Sequence, residues 1–394
     1  MTLRKANLGT GCIIGLFPEL LGIGGVQEAG RLTAAALQGI AAERGWSVNF
    51  LTLNDPRGPH SLGVVGRAIS LDGFGRAKVP FALSGLRRAR SDAKNGGVVL
   101  AAHPNLGVPA RWMQRGNPRL KTVVMSHGIE VWEPMPAFRR RALVRANLVL
   151  APSRDTARKL VEVQGVSPEK VRKLAWPLHP SFLRMADLPA KLPLPAFFPE
   201  GRVILTVGRW AASERYKGAD ELMSAFAQLR PEIPGWHLVA VGGGDDLPRL
   251  KQLAGNLGIT DCVRFLENLS REEIAACYAR ADFFALASTG EGFGLVFLEA
   301  MAFSKAVVGL ACGGTTDVVE DGINGLLVSP RDPAALAKAL GQLLKNESLR
   351  VQLGRRGGEI VRQRYQFDAF RTGMEQILAE CGLRGEVPTS CTGA

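Results

Sequence analysis

Ser288-Thr289-Gly290-Glu291-Gly292-Phe293-Gly294 runs without a break into Leu295-Val296-Phe297-Leu298-Glu299-Ala300-Met301, and this stretch decides how the chain reads. Its glycines leave backbone amides bare at the start of an apolar helical run. Amides at a helix N-terminus carry partial positive charge, so the loop suits a phosphate. Glu291 stands in the loop, where it can reach sugar hydroxyls. Glu299 falls about one turn into the helix, inside its apolar face. A carboxylate there is costly to bury unless it bonds something, and hydroxyls such as those of a ribose would satisfy it.

Upstream, the apolar run Val203–Val207 ends in Gly208-Arg209, and Lys217-Gly218 comes just before the next helical pattern. Both cations are thereby placed at the carboxyl edge of a sheet, where two fixed positive charges suit a diphosphate. Further strands are predicted at Leu238–Val241, Val263–Leu266, Phe283–Ala287 and Val307–Leu310, with helices at Ala219–Leu229, Leu247–Leu257, Arg271–Ala279 and Pro333–Leu344. The first half repeats the alternation, with strands Cys12–Phe17, Val48–Leu53, Val98–Ala102, Thr122–Ser126 and Leu148–Ala151 and a helix at Ala29–Glu43. Continuous apolar strands joined by helical crossovers form parallel sheets covered on both faces. The reading is therefore α/β: two doubly wound Rossmann-like domains facing a cleft, with the ligand at the carboxyl ends of the strands. Prolines 177, 180, 189, 193, 195 and 199 crowd the stretch from Trp176 to Pro199, which predicts a linker without helix or interior strand. The expected domains are residues 1–180 on the acceptor side and 200–364 for the nucleotide sugar, with a helix over 365–381 and an unstructured last dozen residues.

Composition narrows the function. The 394 residues are 46% hydrophobic and 22% charged, which excludes a disordered chain, a small disulfide scaffold and a fibre. Aromatic residues make up only 7%, too few for a ligand platform of stacked rings. No apolar run reaches the length of a membrane span. Arg4 and Lys5 before the apolar run Leu8–Val26 imitate a signal peptide, but Pro18, Glu19 and several glycines interrupt that run, and a core strand is the better reading. The six cysteines are scattered, with no CxxC, which speaks against zinc and disulfides and for a reducing, cytoplasmic setting. The net charge of +13 is one-sided: residues 1–190 hold 27 Lys and Arg against 12 Asp and Glu, and residues 191–394 hold 22 against 24. Arg87, Arg88, Arg90 and Lys94 form one basic cluster, Arg111, Arg115, Arg119 and Lys121 a second, and Arg139, Arg140, Arg141 and Arg145 a third. Such a domain attracts phosphates on an acidic acceptor or an anionic bilayer, and the helix Ala137–Arg145 with Phe138 could lie at a membrane surface. Aromatics do not interleave with the cations and no nucleic-acid motif is present, so no nucleic-acid partner is expected.

The loop Gly22-Ile23-Gly24-Gly25-Val26-Gln27 opens the first helix and offers amides to an anion. A dinucleotide fingerprint needs a third glycine where Gln27 stands, although Asp55 fits the ribose position of that motif.

The run EGFGLVFLEAMA at positions 291–302, Arg209, Lys217, Gly313-Gly314 and Asp321-Gly322-Ile323-Asn324-Gly325-Leu326-Leu327-Val328 together resemble the retaining glycosyltransferases of family 4, which have the GT-B fold. Gly24-Gly25-Val26 and Ser126-His127-Gly128-Ile129-Glu130 look like that family's glycine loop and histidine segment. The resemblance covers nearly the whole chain. It implies that Arg209 and Lys217 bind the donor diphosphate and that Glu291 holds hydroxyls of the transferred sugar, beside Gly292, Phe293, Gly294 and Leu295. It further implies that Glu299 binds the ribose, that the base packs near Phe265 and Leu266, and that Gly24 and Gly25 close over the phosphates. His127 would face the sugar from the first domain, and Phe367–Glu380 would be a helix crossing back to that domain.

For the reaction, the resemblance implies a metal-independent retaining hexosyl transfer, with no DxD motif and with developing charge on the nucleoside diphosphate met by Arg209, Lys217 and helix amides. No cofactor is expected beyond the donor itself, a UDP-hexose first and GDP-mannose next. The expected acceptor is a lipid-linked or polysaccharide glycan at the cytoplasmic membrane face. A small soluble acceptor and a non-catalytic nucleotide- or nucleic-acid-binding protein are the alternatives. Ser304 and Ala306 stand where the family has Gly and Pro, and Asp317 where it has Glu.

Overall fold

A computed structural model describes residues 11–22, 24–330 and 332–383. Arg4, Lys5 and Cys391, like all but the first of the last dozen residues expected to be unstructured, lie outside the described residues. Two compact units emerge, one formed by Met1–Pro177 with Phe367–Ala394 and the other by Leu178–Gln366.

The first unit runs β1 (Cys12–Phe17), α1 (Gly25–Arg44), β2 (Ser47–Thr52), β3 (Gly58–Val64), β4 (Arg67–Gly73), α2 (Lys78–Ser91), β5 (Gly97–Ala101), α3 (Gly107–Gly116), β6 (Leu120–Met125), α4 (Ala137–Val144), β7 (Leu148–Ala151), α5 (Arg154–Glu162) and β8 (Val171–Lys173). The strands form one sheet in the order β3-β4-β2-β1-β5-β6-β7-β8, parallel except for the β3–β4 pair. β1 is buried along its whole length because both faces of the sheet are covered. On one face Phe81 and Ala89 of α2, Ala110 and Met113 of α3 and Leu143 of α4 share a core with Ile14, Leu16, Val99, Val124 and Val149.

The β3–β4 hairpin is absent from the sequence reading. Residues 58–63 of β3 alternate between partly and fully exposed, β4 buries Ile69, Leu71 and Gly73, and the turn places Val65 (φ 49°) and Gly66 (φ 70°) in left-handed conformations. Valine gives no turn signal there, since such a position normally calls for Asn, Asp or Gly.

The second unit runs α6 (Pro180–Asp187), β9 (Arg202–Val207), α7 (Ala219–Leu229), β10 (Trp236–Val241), α8 (Leu247–Asn256), β11 (Val263–Leu266), α9 (Arg271–Arg280), β12 (Phe283–Leu286), α10 (Leu295–Ala302), β13 (Ala306–Leu310), α11 (Thr315–Val318), β14 (Gly325–Val328), α12 (Pro333–Lys345) and α13 (Glu347–Arg364). After it, α14 (Phe367–Glu380) belongs to the first unit, where it packs on α1 and Arg44 pairs with Glu375 at 2.5 Å. The all-parallel order β11-β10-β9-β12-β13-β14 is the doubly wound pattern whose direction switches between β9 and β12. Helix starts are written locally: at α9, Ser270 and Glu273 close a reciprocal capping box.

The expectation that the proline-rich stretch holds no helix is corrected. α6 begins at Pro180, whose missing N–H is no loss at the first helical position, and His179 caps it by accepting from Ser181 N. Phe182 of α6 is buried and meets Tyr278 edge-on at 6.4 Å, so this segment packs with the second unit.

Candidate active site

In the second unit the switch between β9 and β12 brings two loops together. The loop after β9 carries Arg209 and Lys217, and the loop after β12 carries Glu291. Gly218 has φ 71°, and a Cβ there would run into the carbonyl oxygen of Ala287, so only glycine lets the Lys217 segment lie against the end of β12. Thr289 N donates to Tyr216 O at 2.8 Å, which ties the same two loops. Lys217 Nζ then stands 3.5 Å from Glu291 Oε1, with side chains only 17% and 13% exposed. Burial, with Glu291 beside it, raises the Tyr216 phenol above its ordinary range.

A third loop completes the frame. Gly314 N donates to Glu291 O at 2.7 Å. A side chain on Gly313 would stand 2.6 Å from that same oxygen, and one on Gly314 would strike Gly292 O. The double glycine is needed because backbone meets backbone. Gly294 is the left-handed N-cap of α10, so the first amides of that helix come directly after Glu291, Gly292 and Phe293. Phe293 is buried and meets Tyr365 edge-on at 6.0 Å, while Leu295 is half-buried.

Arg209 is 72% exposed and forms an ion pair with Glu214, and it acts on the same Tyr216 phenol as Glu291 does. Glu299 finds a hydroxyl partner within the protein, accepting from Tyr278 Oη at 2.9 Å. Burial, reinforced by Glu299, holds that phenol well above its usual range, so it remains the donor. Leu266 O accepts from Gly242 N at 2.9 Å. Phe265 and Leu266 line a cavity of about 680 Å³ with Phe197, Glu200, Gly201 and His237. Gly201 and His237 lie at the amino ends of β9 and β10, so this cavity extends away from the carboxyl-edge loops that hold Lys217 and Glu291. The glycine run 242–244 at the end of β10, not singled out from the sequence, accepts from Trp210 N through Gly243 O.

In the first unit the switch lies between β1 and β5. Asp55 is buried and accepts from Leu20 N (2.8 Å) and Leu21 N (3.2 Å), while Arg31 donates to Leu20 O and Gly22 O. Asp55 thus fastens the glycine loop, which replaces the ribose role that a dinucleotide reading would give it. Gly24 (φ 146°) caps α1, and a Cβ on Gly25 would meet nothing within 4 Å.

The loop after β5 presents His103, which sequence reasoning missed. Its Nδ1 accepts from Asn105 N at 3.1 Å. The signal was the switch-point rule itself: a polar side chain at the end of the strand beside β1. His127, beyond β6, has its Nε2 2.7 Å from Ala102 O. A carbonyl only accepts, so the neutral ring carries its proton on Nε2 and keeps Nδ1 as acceptor. Glu130 takes the His127 amide hydrogen. The ring is sandwiched, stacked on His103 at 5.8 Å and on Trp176 at 5.3 Å, each inclined by 26°. Trp176 in turn leans on Phe370 of α14 at 6.0 Å. Burial pushes His103 down to about 4, with His127 and Arg139 adding repulsion against the pull of Glu130. Among the described residues, no three His, Cys, Asp or Glu side chains form a possible metal site.

Residues 195–359 match the family model of the glycosyl transferases group 1, and residues 24–174 match that of glycosyltransferase family 4. The chain is made of glycosyltransferase domains. It is 33% identical over 279 residues to a D-inositol 3-phosphate glycosyltransferase of Acidothermus cellulolyticus, an alignment covering 66% of this chain and 60% of that protein. A protein of the same name from Corynebacterium jeikeium is 41% identical over 160 residues, 39% of this chain and 38% of the relative, so the match spans less than two thirds of either relative. Among solved structures, Anabaena Alr3699/HepE in complex with UDP superposes with a TM-score of 0.69 at 20% identity, covering 93% of this chain and 99% of that one. Sucrose-phosphate synthase from Thermosynechococcus elongatus gives 0.71 at 23% identity, covering 93% and 98%. At these identities the likeness shows the fold, two Rossmann-like units of the GT-B kind.

Proposed function

We propose that this glycosyltransferase moves a hexosyl unit from a nucleoside-diphosphate sugar to an acceptor hydroxyl, with retention at the anomeric carbon. The bond from that carbon to the β-phosphate oxygen breaks, a bond to the acceptor oxygen forms, and the hydroxyl proton passes to the departing diphosphate. The observation that carries the reading is the Lys217–Glu291 pair at the switch point, beside the amino end of α10. Lys217, Arg209 and the α10 amides are assigned to the diphosphate, a metal-independent neutralisation of the leaving group. Glu291 is assigned to hydroxyls of the sugar, His127 to the same sugar, Glu299 to the ribose, and Phe265 and Leu266 to the base. A UDP-hexose is the favoured donor, a choice supported by the UDP held in the HepE structure.

A lipid-linked or cell-surface glycan is the first acceptor reading, supported by the one-sided positive charge. A small soluble acceptor is the second, supported by the relatives named for D-inositol 3-phosphate. The five described cysteines are all free thiols, which fits work in the reducing cytoplasm.

The test begins with melting curves of the full chain in UDP, GDP, ADP, TDP and NAD, because a ligand that binds the native state raises the midpoint. UDP should shift it with EDTA present, and a shift with NAD alone would refute the donor assignment. Lys217→Met should weaken UDP by about 10- to 100-fold, the worth of a charge-assisted hydrogen bond. Glu291→Gln should leave UDP binding and melting intact yet lose at least ~100-fold in turnover of UDP-hexose; undiminished turnover would remove Glu291 from the site.

A further inference from the structure

We propose that the outer face of α2, α3 and α4 seats the first unit on an anionic lipid bilayer. These helices pack side by side, α2 against α3 and α3 against α4, over the same face of the sheet. α2 buries Phe81, Gly85 and Ala89, four residues apart. That spacing turns Val79, Leu83, Arg87 and Arg90 to the opposite side, where all four are exposed. α3 buries Ala110 and Met113 and turns out Trp112 and Arg115; α4 buries Ala142 and Leu143 and turns out Phe138, Arg140 and Arg141. Val79, Leu83, Trp112 and Phe138 are 68%, 60%, 48% and 61% exposed, and they stand on three helices that pack side by side rather than scattered singly.

Charge selects the occupant. The three helices hold nine Lys and Arg and no Asp or Glu. A face meant only for solubility intersperses both signs. A nucleic-acid backbone rewards the cations but offers nothing to an exposed valine or leucine. An anionic bilayer rewards both, since arginines meet headgroup phosphates while apolar side chains enter the boundary of the acyl region. No described helix is long and apolar enough to cross a membrane, so the contact is a seat on one leaflet. Arg139 is left out of the patch because it donates to Asn105 beside His103. The remaining residues include none assigned to donor or reaction, so this inference goes beyond the proposed transfer and stands or falls separately from it.

The test is co-sedimentation of the full chain with vesicles of phosphatidylcholine, with and without phosphatidylglycerol. The chain should pellet only with the anionic vesicles and be released in 1 M salt, where screening shortens to about 3 Å. Arg87→Ser, Arg90→Ser and Arg115→Ser should each weaken binding about fivefold, while lysine at the same positions preserves it. The combined change of Val79, Leu83 and Phe138 to Ser should weaken it further, and every variant should melt as the parent does, because each site is exposed. Equal pelleting with neutral vesicles, or variants that bind like the parent, would overturn the proposal. So would capture by DNA or RNA in place of vesicles, which would hand this face to nucleic acid.

Discussion

Protonation of His103 should cost this protein stability between neutral pH and pH 5. In the folded chain the ring is largely removed from solvent, and its value falls to about 4 from the ordinary 6.5. The unfolded chain therefore binds the proton first as pH falls. The stabilising contribution is complete above the unfolded value of 6.5 and drains away as pH drops towards 4. Linkage with these two values gives a loss of about 2 kcal/mol between pH 7.5 and pH 5, and about 3 kcal/mol once pH is below 4. Two measurements address this. NMR of the full chain labelled at the histidine ring carbons should show five titrating signals at most, one for each histidine, with the one missing from His103→Asn still neutral at pH 5. Asparagine retains an acceptor for the Asn105 amide, so the variant keeps the local turn. Urea unfolding at pH 7.5 and pH 5 should then cost the parent about 2 kcal/mol more than the variant. A His103 midpoint near 6.5, or the same pH dependence in both proteins, would refute the reasoning.

Trp176→Ala should remove the wall between His127 and Phe370, costing about 3–5 kcal/mol for a buried tryptophan. Turnover should fall while UDP affinity holds, and Trp176→Phe should recover part of it; a parent-like kcat in the alanine variant would show that the stack does not position His127. Gly218→Ala should destabilise the second unit by more than ~1 kcal/mol, because left-handed backbone and a blocked Cβ coincide there. A melting curve and a UDP titration check this, and an alanine variant that matches the parent in both would mean that the loop has room to shift.

How much of the fold is legible in the sequence depends on what kind of signal each element leaves. Fully buried parallel strands such as Cys12–Phe17 and Phe283–Leu286 are continuous apolar runs and are legible to within a residue or so. The helix Ala219–Leu229 has the bounds that periodicity predicts, and Phe367–Glu380 those that the family resemblance implies. β3 and β4 are invisible because β3 is a half-exposed edge strand, β4 buries few of its residues, and the two turn on a valine. β8 and β14, three and four residues long, are too short to stand out from loop. At the site, the Glu291 loop is legible because glycine and glutamate are both rare inside apolar runs. His103 is not, since a histidine after a strand means something only once the strand order puts it at a switch. The partners of Arg209 and Glu299 are equally hidden: Glu214 is near in sequence, but Tyr278 reaches Glu299 from another helix.

The same contacts separate what must stay fixed in the second unit from what is free to change. Lys217 and Glu291 are 74 residues apart, yet neither is placed by its own side chain. Gly218 against Ala287 sets the first loop, and Gly313-Gly314 against Glu291 and Gly292 sets the second. In each case backbone lies against backbone, closer than any Cβ permits. On the proposed reading, two opposite charges carried on backbone fixed in this way would meet a donor with little reorganisation, which is where electrostatic preorganisation is worth most. Ser304, Ala306 and Asp317, the departures from the family pattern, therefore bear on the site only indirectly. Ser304 adopts φ 55° at the end of α10 and packs its backbone against Gly354 of α13, while the Asp317 carbonyl accepts from Tyr365 Oη at 2.9 Å. These contacts anchor α10 and α11 to the helices behind them and leave the Lys217–Glu291 geometry to the glycines. On the reading proposed above, the donor's phosphate and sugar groups would meet this frame, and donor preference would fall to side chains that can be exchanged without disturbing it.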